Sequence, residues 1–151
     1  MPDIPRRRTE FMSNAAAQMT AAYFDSKDFK YDLTGDNQDR IITGMGLENK
    51  DGIKFLIAFD DSETSVAIRA FDIAKFPQDK MPEMFVLANM LNSKFRWIKF
   101  VVDPEDCTIS AEDDAVIQLD SCGAEIFELC LRMANIVDDA YPIIMKACFA
   151  N

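Results

Sequence analysis

The chain has no histidine among its 151 residues. That absence removes the commonest general base, the Ser–His and Cys–His nucleophile pairs, and most zinc and haem sites. The four cysteines, Cys107, Cys122, Cys130 and Cys148, include no CxxC pair. On one helix Cys122 and Cys130 would stand about 12 Å apart at ~1.5 Å per residue, too far for a disulfide. Buried reduced thiols are expected instead, and these suit the cytoplasm. Long apolar runs are missing as well: none approaches the ~18 residues that a membrane span needs. The opening "MPDIPRRRTEFM" is basic but lacks the apolar stretch of a signal peptide. A cytoplasmic protein that does not engage membranes is therefore expected. Positive charge is scarce too, with 16 Lys and Arg against 26 Asp and Glu and a net charge of −10. That balance argues against nucleic acid, whose phosphates a binder must neutralise. No GxGxxG, GxxxxGK[ST] or GxSxG motif is present. The stretch "DLTGDNQDRIIT" begins at Asp32 but lacks the glycine and the glutamate of an EF-hand loop. No catalytic residue, cofactor or metal is expected.

What is present is the pattern of one folded domain. Hydrophobic content of 49% with 11% aromatics fits a globular chain of this length. Residues 1–9, with Arg6, Arg7 and Arg8, read as a short solvated arm, and residues 10–151 as a single domain. Thr9 is placed to cap a first helix from Glu10 to about Ser26, with Met12, Ala15, Ala16, Met19, Ala22 and Tyr23 as its apolar stripe. Four strand-like segments follow, "KYDLT", "RIITGMGL", "IKFLIAFD" and "SVAIRAFD", separated by short polar turns that imply antiparallel neighbours. "KFPQDKMP" breaks the strands. Pro82 then sits in the first turn of a second helix, where proline is tolerated, and Met84, Phe85, Leu87, Ala88 and Leu91 form its stripe.

In "MFVLANMLNSKFRWIKFVVDPEDCTIS" the hydrophobic period changes from helical to alternating, with Asn92 and Ser93 closing the helix. "RWIKFVVD" puts Ile98, Phe100 and Val102 on one face and Trp97, Lys99 and Val101 on the other. "CTIS" returns, and "AEDDAVIQL" continues that strand or adds another. Asp120 or Ser121 caps a last helix of some 25 residues that is apolar on most of its circumference, with Pro142 expected to kink or interrupt it near Asp138. Ile126, Cys130, Met133 and Val137 are its expected buried stripe. The order α-β-β-β-β-α-β-β(-β)-α implies an α+β fold, an antiparallel sheet covered by helices.

This order, the corner "LANMLNSKFRWIKFVVDPEDCTIS", the acidic return "AEDDAVI" and the final "VDDAYPIIMKA" with its Tyr141–Pro142 step resemble the YbjN family of bacterial sensory transduction regulators. The resemblance covers roughly Phe11 to Cys148. It implies a fold like that of type III secretion chaperones and a non-enzymatic regulator or adaptor, often self-associating, with no recognised cofactor.

The acidic belt of Asp103, Glu105, Asp106, Glu112, Asp113, Asp114 and Asp120 reads first as a solvated face, then as a surface for a basic partner. The sheet is more informative. An exposed sheet face should be clearly polar, yet the second face mixes Leu56, Phe71, Trp97 and Val101 with Lys and Arg. Either a terminal helix or the N-terminal arm covers it, or these four residues form a protein-binding face. The expected function is an interaction or regulatory module acting through a homodimer or a bound protein partner. The alternatives are a secretion-type chaperone that holds an extended client segment and, last, a small enzyme.

Overall fold

Alternation of apolar and polar residues builds one antiparallel sheet, and helices cover one of its two faces. The computed structural model describes residues 13–150. The order is α1 (Ala15–Ser26), β1 (Tyr31–Thr34), β2 (Arg40–Met45), β3 (Ile53–Phe59), β4 (Ser65–Lys75), a 3-10 turn (Gln78–Lys80), α2 (Met81–Lys94), β5 (Lys99–Asp103), β6 (Thr108–Val116) and α3 (Cys122–Phe149). The six strands lie β1-β2-β3-β4-β6-β5, each pair of neighbours antiparallel. This is the expected α+β order, with "AEDDAVI" continuing β6 as far as Val116 and not forming a separate strand.

The core lies between the sheet and the helices. Ile41, Phe55, Ile57, Ile68, Ile109 and Ala111 face inward from the strands, each without solvent exposure. From α3 the stripe Ile126, Cys130, Met133 and Val137 is fully buried against them, as the sequence predicts. Cys122, Cys130 and Cys148 are buried free thiols, whereas Cys107 is half-buried in the β5–β6 turn.

Four expectations are corrected. The predicted cap Thr9, Met12 and the basic arm lie outside the described residues, and the helix begins at Ala15 and not at Glu10. Asn14 is its cap, extended at φ −63° and ψ 121°, and its side chain accepts from Ala17 N. The buried stripe of α1 is Ala16, Ala17, Thr20, Ala21 and Phe24, while Met19 is exposed. That shift follows from Phe24, whose ring packs edge-on against Phe29, Tyr31 and Phe127 and sets the helix rotation. On α2, Phe85 is exposed and not part of the stripe. Finally, α3 runs unbroken for 28 residues through Pro142. Its outward side, including Leu131, Arg132, Asn135, Asp139 and Lys146, is exposed, so it is less enclosed than its composition implies.

The helix-to-strand corner has a direct cause. Asn92 accepts from Phe100 N at 2.6 Å and donates to Phe100 O at 3.1 Å. Phe100 lies on β5, an edge of the sheet. The amide of Asn92 thus pairs with the strand as a neighbouring backbone would, and it occupies main-chain groups that would otherwise invite another chain.

Candidate functional site

The helices leave the opposite face of the sheet uncovered by any described element. Strand register draws one row across it: Asp32, Ile42, Leu56, Arg69, Glu112 and Lys99, one residue from each strand. Two apolar side chains therefore stand beside a charged ladder. Arg69 is its centre. Its guanidinium lies 2.8 Å from Asp114 and 3.8 Å from Glu112, and it donates to the main-chain oxygens of Ile68 and Asp113. The acidic belt is thus partly neutralised from the adjacent strand β4, a pairing that the local sequence does not show.

A bulge in β4 shapes the face. The register with β6 shifts between Ala70 and Ala74, and Asp72 takes φ 53°. Bulges re-aim side chains. Here the bulge leaves Phe71 58% exposed. Phe71 lines a hollow of about 340 Å³ with Ile42, Lys54, Leu56 and Asp72. Val101 pairs with Ser110 on β6, and the Ser110 hydroxyl accepts from Asp72 N, next to Phe71. Leu56, Phe71 and Val101 therefore belong to one face. Ile42 also lines the hollow, although sequence reading did not single it out. Its signal was the adjacent pair Ile41–Ile42, which in a strand must put one isoleucine on each face.

Trp97 stands apart from this group. Strand β5 begins at Lys99, so alternation does not reach back to Trp97. Ile98 N donates to Arg96 O at 2.9 Å, and Trp97 between them takes φ 77°. These are the marks of a three-residue γ-turn, a strained geometry for a bulky residue. The turn brings the indole against Arg132 of α3, the guanidinium carbon 4.9 Å from the ring centroid. Trp97 accordingly associates with the helical layer while remaining 53% exposed.

On the covered side, Asp113 interrupts the apolar pattern of β6, paired in register with Ile68. Among the described residues its Oδ2 is buried with no hydrogen-bond partner. Burial first, and the neighbouring Asp114 second, push its carboxyl up to about 6, with Arg69 pulling the other way. Burial and the Asp113 carboxylate likewise push the Cys130 thiol up to about 12, which keeps it an unreactive thiol. Among the described residues no three His, Cys, Asp or Glu side chains converge as metal ligands. No described helix is long and apolar enough to cross a membrane.

The family model of YbjN, described as "Putative bacterial sensory transduction regulator", matches residues 17–124. The chain belongs to the YbjN family. That assignment places it among putative regulators and not in an enzyme family. Among solved structures, it is similar to "YbjN, a putative transcription regulator from E. coli", at a TM-score of 0.59 and 10% identity. The match covers 83% of this chain and 90% of that one, and it shows a shared fold. No curated protein matches the chain.

Proposed function

We propose that this YbjN-family protein is a non-enzymatic regulatory module that binds a protein partner through the open face of its sheet. The observation that supports this reading is the hollow between Ile42, Leu56 and Phe71, bordered by the Arg69–Asp114 ladder. Apolar side chains set within a polar rim are the anatomy of a protein contact. A folded partner would cover the whole face. A client segment held in the manner of a secretion chaperone would instead lie extended along it. A photo-activatable residue at Phe71, with one at Met19 as control, tests the reading. Adducts at Phe71 should disappear with Leu56→Asp while the thermal midpoint stays within a few degrees. Adducts indifferent to Leu56→Asp would remove the open face as the contact. Limited proteolysis of the adduct then separates a folded partner from an extended client.

Self-association has its own support. The outward side of α2 presents Phe85, Val86 and Met90, 50%, 71% and 47% exposed. Asn89 and Ser93 lie between them, and none of these five is charged. A solvent-facing helix side normally carries charges, so this one fits contact with a second copy. Sedimentation should show a dimer that Val86→Asp converts to monomer. A monomer at all concentrations would exclude this contact.

A further inference from the structure

We propose that the corner built by Trp97 is a second binding site, separate from the open face, and that it takes a short peptide segment carrying carboxylates beside apolar side chains. Two arginines meet there, with Lys94 two positions before Arg96, in a chain whose net charge is −10. The guanidinium carbons of Arg132 and Arg96 lie 4.9 Å and 5.6 Å from the Trp97 ring centroid, and Lys94 Nζ lies 5.5 Å from that of Phe95. Glu128, one turn before Arg132 on α3, holds the Arg132 guanidinium at 3.0 Å. Arg132 of α3 and Arg96 of the connection between α2 and β5 meet at one ring, that of Trp97 in its γ-turn. An exposed tryptophan in a strained turn is costly to keep, and such strain clusters at binding sites.

The chemistry of the corner selects its ligand. Arg96, over the indole, has no ion pair among the described residues and can turn its N–H donors to a carboxylate, and Arg132 adds the donors that Glu128 does not use. The indole itself is half open and takes an apolar side chain, the role in which tryptophan dominates protein contacts. A carboxylate adjacent to an apolar residue satisfies both. Polyphosphate fits less well. Fields are screened over about 8 Å at physiological salt. A long polyanion would therefore run past these cations and meet the acidic surface of the rest of the molecule.

Trp97 is the only tryptophan, so its fluorescence reports the site directly. The probe is a ten-residue peptide alternating glutamate and leucine. Its glutamate–serine and lysine–leucine counterparts and an oligothymidylate serve as comparisons. The glutamate–leucine peptide should shift Trp97 emission to saturation, with the other three weaker by about tenfold or more. Arg132→Gln, at an exposed position, should retain the thermal midpoint and weaken binding by a similar factor. Trp97→Ala should lose binding by calorimetry, whereas Leu56→Asp on the open face should leave it unchanged. Three outcomes would each overturn the proposal: no saturable change, undiminished binding by Arg132→Gln, or tighter binding of the oligothymidylate.

Discussion

The side-chain amide of Asn49 donates to the main-chain carbonyl of Asp138 at 2.9 Å. Four residues further along α3 is Pro142, which has no N–H to give that carbonyl. Asn49, in the β2–β3 turn, supplies the missing donor. The exchange is reciprocal, because the Asp138 carboxylate accepts from Glu48 N at 3.1 Å and Asn49 N at 2.7 Å. A proline that would break a helix standing alone thus becomes the point at which a sheet turn is anchored to it.

Removing either partner should loosen that turn. Asn49→Ala and Asp138→Ala should each cost ~1 kcal/mol, as for exposed hydrogen bonds, and together less than the sum. Urea unfolding of the two single variants and the double variant measures this. Pro142→Ala restores a helical donor, so Asn49→Ala should be close to neutral in that background. If it costs the same there, the proline is not the reason for the contact.

In the core, Met133 is fully buried under α3. Met133→Ala should lower stability by ~2–5 kcal/mol, the range for truncating a buried large side chain. Leu131, two residues earlier and 37% exposed, is the comparison, and Leu131→Ala should cost under ~1 kcal/mol. A thermal midpoint indifferent to Met133→Ala would refute the stripe.

These examples mark how far the sequence was legible. Strand order along the chain, the α3 stripe and the Asn92 corner were readable because each depends on local periodicity or on one residue's habit. Leu56, Phe71 and Val101 were correctly placed on one face because alternation holds within a strand. Trp97 was misplaced because a γ-turn delays the strand by three residues, from Arg96 to Lys99, and nothing local signals a non-glycine residue at φ 77°. The ion pairs of Arg69 were hidden for a different reason. Their partners Glu112 and Asp114 lie more than forty positions away, and only strand pairing brings them together. The rotation of α1 was likewise settled at a distance, by the rings that receive Phe24.

Asn92 guards an edge as well as stabilising it. Asn92→Ala should cost ~1–2 kcal/mol through the lost pair with Phe100. It should also expose the outer main-chain groups of β5, and such edges recruit other chains. The variant is expected to form higher oligomers during prolonged incubation near its midpoint, seen by light scattering, while Ser93→Ala stays as the parent. Loss of stability without any oligomer would limit Asn92 to a structural role.

The last prediction concerns acid. The Asp113 carboxyl is raised from 3.8 to about 6 by burial and by Asp114. Between about pH 4 and pH 6 the folded protein therefore holds a proton that the unfolded chain has already released. For this group stability is fully present below that window and falls as pH rises through it. At neutral pH the ionised carboxylate is a standing cost. Its side chain is only half-buried, so solvent screening reduces that cost to ~1 kcal/mol. Asp113→Asn keeps the shape and removes the titration. It should be more stable than the parent by about that amount at pH 7 and indistinguishable from it at pH 4. Denaturant unfolding of both proteins across this range is the measurement, and the difference between them is the quantity to read because every other carboxylate is shared. A difference that does not change between pH 4 and pH 7 would mean that Asp113 titrates as it does in water, and the buried, unpartnered Oδ2 would then have no electrostatic consequence.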